Sequence, residues 1–202
     1  MKRLHRPDLF TWSAYQEQHR IDFNSFLWVR EGGNVLVDPL PLGPDDAKHL
    51  AELGGAASIL LTNSSHLRGA REVAAATGAR VLGPRGERET FPIPCERWLA
   101  DGDEPFSGLC VRELEGSKTP GELALVLEGT TVLFGDLVRA HAADALMFLP
   151  EAKLRDARRA VESVRRVRAL HPGLQHLLVG DGWCAFRHGG ELLDELLRAR
   201  GA

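Results

Sequence analysis

The chain alternates short apolar runs with polar turns. Two β-favouring runs, Asp22 to Arg30 and Asn34 to Asp38, flank Glu31-Gly32-Gly33, a pattern that predicts a hairpin. Pro44-Asp45-Asp46 opens a helical segment, with proline in the first turn and acids where the helix dipole favours them, and Gly54-Gly55 closes it. Ser58 to Thr62 (SILLT) reads as a buried strand. It runs into the polar turn Asn63-Ser64-Ser65-His66, then a helix over Leu67 to Thr77 and a strand over Ala79 to Leu82. Such a βαβ unit places its functional residues at the carboxyl end of the first strand.

Beyond an irregular stretch from Gly83 to Gly108, the pattern predicts strands over Leu109 to Leu114, Glu122 to Leu127 and Thr131 to Phe134. The first two are separated by a polar loop, Gly116 to Gly121. Gly135-Asp136 leads into a loop without clear form, followed by a predicted helix from Glu151 to Leu170. Leu154, Ala157, Val161, Val164 and Val167 give that helix one apolar face. Its other face is basic, from Lys153 to Arg168, and partly offset by Glu151, Asp156 and Glu162, so it reads as a solvated face. A strand over His176 to Val179 enters Gly180-Asp181-Gly182-Trp183, and a last amphipathic helix spans Gly190 to Arg200.

At 202 residues the chain suits one domain, 1–202, with a well-buried core. A net charge of −3 argues against nucleic acid as partner of the whole molecule. No stretch approaches the roughly 20 apolar residues that span a bilayer, so a cytoplasmic protein without membrane contact is expected. Cys95, Cys110 and Cys184 are an odd, widely spaced set, which indicates neither a disulfide framework nor a zinc ribbon. A homo-oligomer is compatible with the sequence.

Four polar turns each follow a strand: Asn63 to His66, Ser117 to Thr119, Asp136, and Asp181. Each alone has an ordinary structural reading as a helix cap, a turn or a solvated loop. Strand-end turns of a layered α/β protein converge, however, and together they form a candidate site.

In this order and context the chain resembles the metallo-β-lactamase superfamily over nearly its full length. The family's T-H-x-H-x-D-H-x-G-G-A motif has its counterpart at Thr62-Asn63-Ser64-Ser65-His66-Leu67-Arg68-Gly69-Ala70. Aligned without a gap, Asn63, Ser65, Leu67 and Arg68 take the ligand positions; with the turn shortened by two residues, His66 falls on the last histidine, the alignment preferred here. The family's G-H-T-P-G appears as Ser117-Lys118-Thr119-Pro120-Gly121, its strand-then-G-D as VLFGD ending at Asp136, and its terminal G-H-G as Gly180-Asp181-Gly182. Leu99-Ala100-Asp101-Gly102-Asp103 matches a D-G-D turn. The resemblance implies an α/β (α+β) fold, a four-layer αβ/βα sandwich with the site at one edge between two sheets.

The resemblance also implies two zinc ions on five histidines and two aspartates. Here the three histidines of the first metal are absent, and asparagine, serine and protonated lysine do not replace them. His66, Asp136 and Asp181 could still hold one divalent metal, with Mn, Mg or Fe favoured over Zn. An ammonium at Lys118 opposes it: at about 4 Å and an effective dielectric near 20, the repulsion is on the order of 8 kcal/mol. The expectation is therefore a degenerate metal site with no metal, and a small, anionic ligand in the former pocket. Asn63, Ser65, His66, Lys118, Thr119, Asp136, Arg139, Asp181 and Trp183 are the candidate ligand-binding residues, with Trp183 as a stacking wall. The alternative is a mononuclear metal-dependent hydrolase, with Mn, Fe or Zn on His66, Asp136 and Asp181. A third reading, Cys184 as nucleophile with His66 as base, lacks any sequence sign of an activated thiol.

Overall fold

The computed structural model describes residues 1–201. Seven strands form the first sheet in sequential order: β1 (Lys2–Arg3), β2 (Leu9–Gln16), β3 (Ile21–Trp28), β4 (Val35–Val37), β5 (Ser58–Leu60), β6 (Arg80–Pro84) and β7 (Arg97–Leu99). The first four are joined antiparallel, and β4 to β7 run parallel. The parallel half is built by crossovers through α1 (Pro44–Glu52) and α2 (Ala70–Thr77). The second sheet has the order β13-β10-β9-β8, from β8 (Leu109–Glu113), β9 (Leu123–Leu127), β10 (Thr131–Phe134) and β13 (His176–Val179). A separate hairpin joins β11 (Val138–Ala142) to β12 (Ala145–Phe148), and α3 (Ala157–Leu170) and α4 (Gly189–Ala199) complete the chain.

Alternation along the strands assigns the layers. In β9, Leu123, Leu125 and Leu127 face the first sheet and meet Phe26, Val35, Val37 and Leu60 across the inter-sheet core. Ala124 and Val126 point the other way, onto Ala160, Val164 and Val167 of α3 and Leu193 and Leu197 of α4. In the first sheet Leu36, Ile59 and Leu61 face outward onto Leu50 of α1 and Val73 of α2. Each fully buried leucine contributes about 1.5–3 kcal/mol by leaving water, so the period-2 pattern fixes both registers. The result is the expected four-layer sandwich.

Several elements differ from the sequence reading. β2 and the β11–β12 hairpin were not expected, and both turn through a non-glycine residue in the left-handed region, Arg20 (φ 53°) and Asp144 (φ 55°). The helix predicted from Glu151 begins only at Ala157. Backbone N–H groups of Arg155 and Asp156 donate to the Gly116 carbonyl, and the Asp156 side chain caps α3 by accepting from Arg159 N at 3.0 Å. This leaves residues 151–153 as a single 3₁₀ turn beside the Lys118 loop. The basic face of α3 is largely paired: Arg158 with Glu162 at 3.0 Å, Arg166 with Asp101 at 2.9 Å and Arg168 with Asp194 at 2.9 Å. Among the described residues no helix is long and apolar enough to cross a membrane.

Candidate functional site

Parallel strands end on the same edge of each sheet, so the residues that follow them meet. Asp38 follows β4, Thr62 to His66 follow β5, Asp136 follows β10, and Asp181 follows β13. Asn24 of β3 ties the last of these turns to the first sheet: its side-chain amide donates to the carbonyls of Val179 (2.9 Å) and Gly182 (2.7 Å). Gly180 allows the close approach, since a Cβ there would lie 2.8 Å from His66 Cε1.

His66 lies at the centre, 4% exposed, where the shortened turn implies a ligand. Its Nδ1 donates to Asp38 Oδ2 at 2.8 Å, and Asp38 also accepts from the Thr62 backbone N–H (2.8 Å) and hydroxyl (2.6 Å). His66 Nε2 is 3.6 Å from Asp136 Oδ1 and 3.9 Å from Asp181 Oδ1. Burial and the nearby Arg68 pull the imidazolium down, but Asp38 and Asp136 outweigh them and raise His66 to about 9. In that charged state the 3.3 Å approach of Arg68 Nη2 to His66 Nε2 is a repulsive contact, offset by Asp181 Oδ1, which lies 3.1 Å from the first and 3.9 Å from the second.

Two guanidiniums fill the centre. Arg139 Nη2 donates to Asp136 Oδ1 at 2.9 Å and to Asp181 Oδ2 at 2.7 Å, bridging the two carboxylates. Arg68 Nη2 donates to Asp181 Oδ1 at 3.1 Å and to the Gly180 carbonyl at 3.2 Å, and its guanidinium lies 4.9 Å from the Phe23 ring centre. Lys118 Nζ is 3.5 Å from Asp136 Oδ2, and its side chain is 41% exposed. Burial alone would raise Asp136, yet His66, Lys118 and Arg139 hold its carboxyl well below the usual range. Behind it Glu122, fully buried, accepts from the backbone N–H groups of Asp136 (2.7 Å) and Leu137 (2.8 Å) and from the Ser117 hydroxyl. Burial and the charge of Asp136 push Glu122 up to about 7.

One ligand atom from each of His66, Asp136 and Asp181 lies within 4.8 Å of the others, so these three side chains could converge on an ion. The first-metal positions cannot: Asn63 is buried and uses its side-chain oxygen to accept from Ser65 N at 2.8 Å, and Lys118 brings an ammonium. A cavity of about 240 Å³ opens in front of the aspartates, with Ser65, Lys118, Arg139 and Lys153 supplying donors around it. Three candidates lie outside this lining: Asn63, buried in its own turn, Thr119, also buried, and Trp183. Trp183, 60% exposed, faces a neighbouring groove with Tyr15 and Phe186, because the Gly182 turn carries it to the far side of Asp181; this corrects its reading as a wall of this pocket. Cys184 is half-buried with its thiol against the Val179 carbonyl, and burial pushes that thiol up to about 11, which argues against a nucleophile.

The sequence reading missed Asp38, Arg68, Glu122 and Lys153. For Asp38 the signal was Val37-Asp38-Pro39, an acid at the end of the strand neighbouring the one that leads to His66.

Solved metallo-beta-lactamases share this architecture. The enzyme from Pontibacter korlensis is 15% identical, with a TM-score of 0.75 over 97% of both chains. FIM-1 from Pseudomonas aeruginosa, in its mono-zinc form, is 16% identical, with a TM-score of 0.72 over 95% of this chain and 91% of that one. A metallo-beta-lactamase from Erythrobacter litoralis, with beta-mercaptoethanol in its active site, is 15% identical, with a TM-score of 0.76 over 98% and 95%. At such identities the likeness is one of fold. No curated protein matches the chain by sequence. The sequence profile of the metallo-beta-lactamase superfamily matches residues 1–200, and with these motifs in this fold the chain belongs to that superfamily.

Proposed function

We propose that this chain is a metallo-β-lactamase-fold protein without a dinuclear zinc centre, which binds a small anion in the cavity at the strand ends. The observation that carries the reading is Arg139 Nη2, 2.9 Å from Asp136 and 2.7 Å from Asp181. A buried carboxylate pair requires a countercharge, and here a guanidinium supplies it at hydrogen-bonding distance. A divalent ion seated on the same oxygens would stand within about 4 Å of that guanidinium and meet repulsion on the order of 8 kcal/mol at an effective dielectric near 20. The donor set does not fit two metals, and the chemistry left to the chain's residues is recognition by charge and hydrogen bonding. The partner is a small molecule rather than nucleic acid or a membrane, and the three free cysteines suit a reducing, cytoplasmic setting.

A second reading is favoured by the convergence of His66, Asp136 and Asp181 to within 4.8 Å. It is a mononuclear hydrolase, in which Mn, Fe or Zn would supply an activated water, and it requires Arg139 and Arg68 to leave both aspartates. Elemental analysis of protein purified without chelator separates the two. Well under one metal per chain, unchanged in His66→Ala, is the expected result. One metal per chain that disappears with His66→Ala would establish the second reading, and two per chain would overturn both.

A further inference from the structure

The cavity is unusual in what its lining offers. Its carboxylate oxygens are committed or closed: Asp136 Oδ1 and Asp181 Oδ2 accept from Arg139 at 2.9 and 2.7 Å, and Asp181 Oδ1 accepts from Arg68 at 3.1 Å. Asp136 Oδ2 makes no hydrogen bond, but it is sealed from solvent, with Lys118 Nζ at 3.5 Å. The donors are only partly committed. Arg139, 11% exposed, uses Nε and Nη2 for Asp136 and Asp181, which leaves both N–H bonds of Nη1 free. Lys153 stands on the 3₁₀ turn that the Asp156 cap separates from α3, and among the described residues no carboxylate lies within ion-pair distance of its ammonium. Ser65 reaches the cavity from the turn after β5.

A lining whose carboxylates are already paired and whose free polar groups are mainly donors selects a ligand rich in acceptors, and two ammoniums beside a guanidinium select more than one negative charge. The donors come from separate elements: Lys118 from the β8–β9 loop, Lys153 from the 151–153 turn, Ser65 from the turn after β5 and Arg139 from β11. A planar carboxylate offers two oxygens in one plane, suited to a single fork. A phosphate monoester carries about −1.5 to −2 at neutral pH and presents three acceptor oxygens in three directions, and lysines recognise it as point charges. We propose that the site takes the phosphoryl group of a small phosphate monoester, held by Lys118, Lys153 and Arg139 Nη1, with the Ser65 hydroxyl as a further donor. This assignment rests on the anion-binding reading above. At about 240 Å³ the cavity lies below the roughly 300–1,000 Å³ of drug-sized sites, which leaves room for the phosphoryl group and a few carbons.

The test is isothermal titration of the full chain with inorganic phosphate, glycerol 3-phosphate and acetate, beside sedimentation with phosphatidylcholine vesicles containing phosphatidic acid. Phosphate and glycerol 3-phosphate are expected to bind at least about tenfold more tightly than acetate, as three charge-assisted acceptors against two imply. Lys153→Ala should weaken both by about tenfold. Arg158→Ala, an exposed residue of α3 paired with Glu162 at 3.0 Å, should change neither. Acetate binding as tightly as phosphate, or Lys153→Ala behaving like Arg158→Ala, overturns the phosphate assignment and leaves the anion reading standing. Vesicle capture without glycerol 3-phosphate binding overturns the small-molecule source. Binding of none of these anions overturns the anion reading itself.

Discussion

The floor of the site and its mouth are built on opposite principles. On the floor, His66, Arg68 and Arg139 interleave with Asp38, Asp136 and Asp181, all nearly buried, and most polar contacts are made within the protein. At the mouth, Lys118 and Lys153 carry charge that no buried carboxylate fully absorbs. Burial explains the difference: an unpaired ion on the floor would cost several kcal/mol, whereas at the mouth water screens it. On the reading proposed above, the floor therefore serves mainly the stability of the fold, and recognition falls to the mouth together with the free Nη1 of Arg139.

The largest effect should follow from breaking the floor. Arg139→Ala leaves Asp136 and Asp181 facing each other without their shared donor, a loss of about 3–5 kcal/mol of the kind seen when one partner of a buried pair is removed. For a chain of this length that lowers the melting temperature by on the order of 10 °C. If the guanidinium stands in for a cation, added Mn²⁺ or Zn²⁺ should recover part of the loss in Arg139→Ala and do nothing for the unmodified protein. A melting temperature unchanged by the substitution would place the countercharge elsewhere and erase the contrast between floor and mouth.

A somewhat smaller effect should appear with pH. His66 is raised from 6.5 to about 9 in the fold, so the folded state holds a proton that the unfolded chain releases. That stabilisation is complete below about pH 6.5 and disappears as pH rises through about 9, on the order of 3 kcal/mol in total. Glu122, raised to about 7, also costs stability as it ionises, mainly between about pH 4.5 and 7. The window from 7 to 8 therefore isolates His66, below the range in which Cys95 and Cys184, raised to about 12 and about 11, add a fall of their own. Urea unfolding across that window should show a steady fall in stability that Asp38→Asn abolishes, since Asp38 accepts from His66 Nδ1 at 2.8 Å. A flat profile would mean that His66 is neutral on the floor.

These contrasts were only half legible in the sequence. Strand periodicity and the four strand-end turns located the site, because apolar alternation and chain direction are local properties. His66, Lys118, Asp136, Arg139 and Asp181 were all named from it, and they do meet. The bridging role of Arg139 was not visible. A long side chain reaches across several residues, and which carboxylate it finds depends on the β11–β12 hairpin, whose Asp144 turn lacks any glycine signal. Arg68 was read only as a lost ligand position, although its guanidinium donates to Asp181 at 3.1 Å. Lys153 was assigned to the solvated face of a helix that begins only after it, because the Gly116 carbonyl draws the backbone of Arg155 and Asp156 out of helical register.

Lys118 stands on the border between the two regions and gives the finest test of where it runs. From sequence alone it was the residue expected to balance Asp136, but its ammonium lies 3.5 Å away and 41% of its side chain is exposed, while Arg139 and His66 hold Asp136 from within. An exposed ion pair contributes about 0–1 kcal/mol. Lys118→Met keeps the aliphatic stem and removes only the charge, so it should lower stability by less than about 1 kcal/mol. Chemical denaturation of this variant beside Arg139→Ala compares the two cations directly. A loss of the same size as that from Arg139→Ala would move Lys118 onto the floor, and the charge that balances Asp136 would then be shared by a lysine as the sequence first suggested.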